Sequence, residues 1–116
     1  MNDIQLLLEN GADANTKDET NFTLLMSCAS KNDLDSIRAL LSYGAIINFK
    51  DDRHFSALDY AIKSNSLKSI KLLVQNGAKI TSESYMFALK TNHKDIIKFF
   101  DSLDPNKHIF LKNRKR

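Results

Sequence analysis

Apolar side chains recur in this chain at intervals of three and four residues, in short stretches that come in pairs. Leu25, Cys28 and Ala29 can line one face of a first stretch, and Leu34, Ile37, Leu40 and Leu41 follow helical spacing in a second. The design returns as Leu58, Ala61 and Ile62, then Leu67, Ile70, Leu73 and Val74. Each pair of stretches predicts a hairpin of two short helices. Asn32 and Asn65 stand between the members of a pair, and Asn92 aligns with both once a six-residue shortening after Ala78 is allowed. Asparagine tolerates the left-handed conformation better than most residues, so these three are expected to turn the chain between helices. Thr23 and the Ser56-to-Asp59 spacing mark helix starts, the latter as a capping box with Asp in the usual place of Glu. The small residues Cys28, Ala29 and Ala61 let neighbouring helices approach closely while larger aliphatics fill the space between layers.

The pairs belong to a longer period. Gly11, Gly44 and Gly77 are 33 residues apart, each follows an apolar pair three positions earlier, and each precedes alanine. Such a glycine ends a helix in a residue able to take positive φ. Repetition at this period means stacked units that bury apolar surface against their neighbours. Between units run Ala12 to Thr23 and Ala45 to Ser56, which share Asn, Lys, Asp and Phe at matching places, with turn-tolerant Asn21 or His54 just before the Phe. They read as extended fingers.

Two segments, Asp18 to Cys28 and Asp51 to Ala61, resemble the Asp-x-x-Gly-x-Thr-Pro-Leu-His-x-Ala pattern of the ankyrin-repeat family, and Leu7 to Asn15 and Leu40 to Asn48 resemble its Leu-Leu-x-x-Gly-Ala-x-x-Asn half. The family's Pro is replaced by Leu24 and Ala57 and its His by Met26 and Asp59, so lower stability than that of a consensus array is expected. The resemblance implies an all-α solenoid of helix-turn-helix units with β-hairpin fingers. Residues 1–104 would hold a half repeat, two full repeats and a shortened terminal repeat, with 105–116 a basic tail. A bare half repeat would expose Ile4, Leu7 and Leu8, which suggests a truncated parent, an unusual cap or an edge for self-association. Ile109, Phe110 and Leu111 are expected to fold back over the last unit around Ile97 and Phe100.

Charge and composition narrow the function. The formal charge is +3, yet removing the five basic residues after Asn106 leaves 12 basic against 14 acidic side chains, so the positive sign belongs to the tail. A nucleic-acid or anionic-surface binder working through that tail is thereby disfavoured. The lone Cys28 cannot form an internal disulfide and reads as a packed thiol. The start of the chain has neither the basic leader nor the apolar run of a signal peptide, and no stretch approaches a membrane span. A cytoplasmic location is expected, or the host cytoplasm or nucleus if the chain is a pathogen effector.

No catalytic constellation emerges. His54, His93 and His108 fall in a finger, a turn and the tail, without a metal or nucleophile partner nearby, and no Gly-rich phosphate loop is present. We therefore expect no enzyme activity and no cofactor. The expected function is protein binding, as adaptor, inhibitor or targeting module, with an accessory part of a larger enzyme or effector as the alternative. By resemblance to the family, the partner-facing surface comprises the fingers, with Glu19, Thr20, Phe22, Asp52, Arg53 and Phe55, and the first helices, with Lys31, Tyr60, Lys63, Phe87 and Lys90. Phe22 and Phe55 either anchor a partner or pack on the neighbouring finger or helix. The resemblance also makes Asn15 a candidate for asparaginyl hydroxylation, against the plainer role of a backbone hydrogen-bonding residue.

Overall fold

A computed structural model describes residues 2–104. The tail, with Ile109, Phe110, Leu111 and the basic run after it, lies outside the described residues. Seven helices are present among them: α1 Asp3–Glu9, α2 Leu24–Ser30, α3 Leu34–Ser42, α4 Ala57–Lys63, α5 Leu67–Gln75, α6 Ser82–Thr91 and α7 Lys94–Leu103. After the lone α1 they form three helical hairpins. The first helices α2, α4 and α6 pack side by side as an inner layer, and α1, α3 and α5 stack as an outer one.

The turns follow from residues that tolerate positive φ. Asn32, Asn65 and Asn92 take φ of 58°, 57° and 58° between the helices of each pair. Gly44 ends α3 at φ +92°, and a Cβ built there would meet nothing within 4 Å, so glycine is required by the backbone angle and not by crowding. Asn21 and His54 are also left-handed, at the finger tips. The helix starts are capped as well. Ser56 and Asp59 form the expected box, and Thr23 caps the Met26 N–H while its own N–H reaches the Met26 thioether at 3.4 Å.

Ile37, Leu40, Leu58, Ala61, Ile62, Ile70 and Leu73 are buried between the layers, and Cys28 is a buried free thiol whose titration burial pushes up. At the far end the buried face of α7 is Ile96 and Phe100, and the Phe100 ring lies 6.4 Å from that of Tyr85. Phe100 is thus a core residue of its own repeat and not part of an open edge. At the near end the expectation of a bare α1 needs correction. Leu8 is buried, whereas Leu6 and Leu7 stay about half exposed. Leu7 occupies the position of Leu40 and Leu73, both fully buried, but among the described residues no first helix packs over α1 to cover it.

The fingers differ from the expected β-hairpins. Among the described residues there is no strand, only one antiparallel bridge between Lys17 and Thr23. The reason is local: a carboxylate gathers the N–H groups of each tip. Asp18 accepts from the Thr20 N–H at 2.8 Å, the Thr20 hydroxyl at 2.7 Å and the Phe22 N–H at 3.1 Å. Asp51 accepts from the Arg53 and Phe55 N–H groups at 2.9 and 3.0 Å. A tight side-chain-organised turn leaves too little backbone for a ladder.

Asparagines hold one repeat to the next. Asn15 donates from Nδ2 to the Gly44 carbonyl at 3.2 Å and accepts from the Ile46 N–H at 2.8 Å. Asn48 repeats both bonds with Gly77 and Lys79, at 3.1 and 2.9 Å. Asn32 accepts from the N–H and hydroxyl of Ser69 at 3.1 and 2.7 Å, supplying α5 with the cap that its own Ser66 does not provide. Replacing Asn48 by Ala removes two hydrogen bonds across an interface without opening a core cavity. It should lower the unfolding free energy by about 1 to 2 kcal/mol in urea titrations, with Asn15→Ala behaving alike; no change for either would show that packing alone sets the register.

Candidate functional site

The candidate surface is where finger tips meet the inner helices. The tips are tied together, since the Asp52 N–H donates to the Thr20 carbonyl at 2.9 Å and Asn21 Nδ2 donates to the Asp52 carboxylate at 2.9 Å. Lys17 Nζ adds a link by lying 5.1 Å from the centre of the Phe49 ring on the next finger. Thr20 and Asp52 therefore serve the fingers themselves, while the side chains of Glu19 and Arg53 stand exposed beside them.

Behind the tips the aromatic residues form a ladder that alternates between finger and helix. Phe22 meets Tyr60 edge-on at 5.2 Å, Tyr60 meets Phe55 edge-on at 5.4 Å, and Phe55 meets Phe87 at 5.8 Å. The three phenylalanines are half-buried. Tyr60 differs from the rest of the expected surface, being only 9% exposed. Its hydroxyl donates to the Asp51 carboxylate, which is itself buried. Tyr60 is thus a prop between finger and helix, with little of its surface left open. Ser27 stands at the equivalent place on α2, and the corresponding Asp18 in the first finger is exposed.

Electrostatics follow this geometry. Burial pushes the Asp51 carboxyl up, but the hydrogen bonds from Tyr60 and from the Phe55 and Arg53 N–H groups outweigh it and hold the carboxyl below its usual range. The Tyr60 hydroxyl is pushed up to about 12, first by burial and then by its bond to Asp51 and that residue's charge. Asp18 is lowered by its bonds to Thr20 and Phe22. Lys31, Lys63 and Lys90 form an exposed row at the C-terminal ends of α2, α4 and α6, where a cation also favours the helix dipole.

Sequence reasoning missed one part of this surface. An open groove of about 780 Å³ runs beside α6, walled by Arg53, His54 and Phe55 and floored by Met86, Phe87 and Leu89. Glu83 and Lys90 stand along it. It opens beside the shortened third finger, which goes from Ala78 to the start of α6 at Ser82. The six-residue shortening was the signal that could have found it.

A family model described as ankyrin repeats matches residues 2–84 in three copies. The chain belongs to the ankyrin-repeat family. Ankyrin repeats serve in general as protein-protein interaction modules, and the family is typically non-enzymatic. No curated protein matches the chain. Within this ankyrin array, the substitution of the family's His has two outcomes. Asp59 still reaches the next repeat, accepting from the Ser84 hydroxyl at 3.1 Å, whereas Met26 is turned inward and nearly fully buried. Asn15, the hydroxylation candidate, has both ends of its amide engaged between repeats. Among the described residues no group of His, Cys, Asp and Glu is placed to hold a metal, and no helix is long and apolar enough to cross a membrane.

The Tyr60–Asp51 bond gives a pH test. Folding holds the Tyr60 proton up to about pH 12 against an ordinary value of 10.0, so this contribution is complete below pH 10 and lost as pH rises through 12. Tyr60→Phe should cost about 2 kcal/mol at neutral pH, as loss of a buried bond to a charged acceptor does, and should flatten the alkaline loss of stability. Thermal melts and tyrosinate absorbance across that range check it; a neutral-pH stability equal to the parent's would contradict the assignment.

Proposed function

We propose that this ankyrin array binds another protein through the face made by its finger tips and the inner helices α2, α4 and α6, acting as an adaptor, inhibitor or targeting module. The observation that carries the reading is the aromatic ladder. Three half-buried phenylalanine rings lie in line, held by Tyr60 and by the finger turns, with exposed cations beside them. Rigid aromatics lose little side-chain entropy on binding and provide most of the energy of an interface when clustered at its centre. The outer helices α1, α3 and α5 contain no aromatic residue, and the apolar side chains that α1 exposes are Leu6 and Leu7. Their exposed charges include Arg38, already paired with Asp35 at 3.2 Å on α3.

Affinity capture followed by mass spectrometry supplies the partner, and substitution then locates its contact. Replacing Phe22 and Phe55 together by Ala should weaken binding by about 2 kcal/mol or more, roughly 30-fold. It should also lower the melting temperature, because both rings rest on Tyr60. Arg38→Glu on the outer layer should leave affinity unchanged. The reverse pattern, in a double variant still folded by circular dichroism, would move the interface to the outer helices.

A further inference from the structure

The aromatic ladder stops where a further ring would fit. Reading from Phe22 to Phe87, each helix ring has a finger ring before it, and Tyr60 has one after it as well. Phe87 has Phe55 before it and no third-finger phenylalanine after it, because the chain passes from Ala78 into α6 within four residues. The bare space is the groove beside α6. Its volume, about 780 Å³, falls within the range of sites that hold a compact ligand or a few side chains, roughly 300 to 1,000 Å³. Two of its floor residues are open to solvent on this side. Met86 and Leu89 are 36% and 37% exposed, whereas Met26, Ala29 and Ile62, which hold the matching places on α2 and α4, are covered by the next inner helix.

The charges around the groove select among occupants. The carboxylates of this region are engaged within the protein: Asp51 by Tyr60 and two finger N–H groups, Asp52 by Asn21, and Asp59 by Ser56 and Ser84. Arg53, Lys63 and Lys90 are exposed and make no ion pair among the described residues. Glu83 is the one exposed carboxylate on the groove itself. An array whose described part has more acidic than basic residues therefore presents, around this groove, exposed cations that make no ion pair among the described residues.

We propose that the groove along α6 receives an acidic peptide segment of a protein partner, with an aromatic side chain of that segment seated on Phe87 and Met86 and its carboxylates toward Arg53 and Lys90. The proposal rests on the reading of the array as a protein-binding module and assigns the chemistry of what is bound. The ring continues the ladder and covers apolar surface that the shortened finger leaves bare. The acidic side chains match exposed cations that form no ion pair among the described residues, which raises both encounter rate and discrimination against basic segments.

The test is selection of a random displayed-peptide library on the full chain, followed by fluorescence anisotropy of the synthetic consensus peptide. Enriched sequences should combine Asp or Glu with Phe, Tyr or Trp. Met86→Asp and Lys90→Glu alter exposed side chains, so the fold should persist by circular dichroism. Each should weaken the consensus peptide by about 10-fold or more, and affinity should fall as salt is raised. No enrichment, a basic or purely aliphatic consensus, or affinity indifferent to both substitutions overturns the proposal. A captured protein whose binding is lost with Phe22→Ala but unmoved by Met86→Asp and Lys90→Glu also overturns it, while leaving the protein-binding reading of the array intact.

Discussion

Each helical hairpin in this chain has an apolar face that only the adjacent hairpin can cover, and the rest of the structure depends on how that stacking is held in register. Apolar burial is strong but nondirectional, so it would tolerate some slippage of one repeat along the next. The directional part comes from asparagine side chains. Asn15 and Asn48 each bridge two backbone groups of the following repeat, and Asn32 caps the helix of the following pair. A one-residue slip would break these bonds and strand the backbone groups they satisfy. The exposed Leu7 shows the same constraint from the other side, since an identical residue at the same repeat position is fully buried wherever a first helix stands before it.

The fingers solve a different problem. With no strand ladder among the described residues, their shape is set by one carboxylate per tip and one left-handed residue. This has an electrostatic consequence at the binding face. Asp18, Asp51 and Asp52 use their acceptor capacity inside the protein, while the lysines and Arg53 project from neighbouring positions with nothing comparable to do. A partner therefore meets accessible donors more than accessible acceptors, although the array as a whole carries more acidic side chains than basic ones.

The helices, their pairing and the turns between them were legible in the residues, because spacing of apolar positions and left-handed asparagine are local signals. Asn32, Asn65 and Asn92 turn the chain where alignment placed them, and Ser56 with Asp59 forms the expected cap. What stayed hidden depends on contacts between distant side chains. Tyr60 matches Phe87 in alignment and looks like another surface aromatic, but a buried Asp51 nine residues earlier accepts its hydroxyl and draws it inward. The β-hairpin fingers were inferred from family resemblance, which marked Asp18 and Asp51 as matching positions but not the N–H groups that their carboxylates gather into tight turns. Met86 and Leu89 escaped notice because their equivalents Met26, Ala29 and Ile62 are core residues under the next inner helix, whereas among the described residues no inner helix follows α6.

The binding face thus contains two kinds of residue with different freedom to change. Phe22, Phe55 and Tyr60 support one another and the finger turns, so altering any of them changes stability together with recognition. Glu19, Arg53, Lys63 and Lys90 are exposed and project from a scaffold that holds its shape without them, so substitution there costs little stability, usually within about 0.5 kcal/mol. Specificity can drift through these charges while the aromatic ladder stays fixed. The groove beside α6 joins both kinds, with an apolar floor set by the repeat register and a charged rim that is nearly unconstrained. In such a site the change of partner that is least costly to folding is a change of rim charge, with the same kind of apolar anchor kept on Phe87.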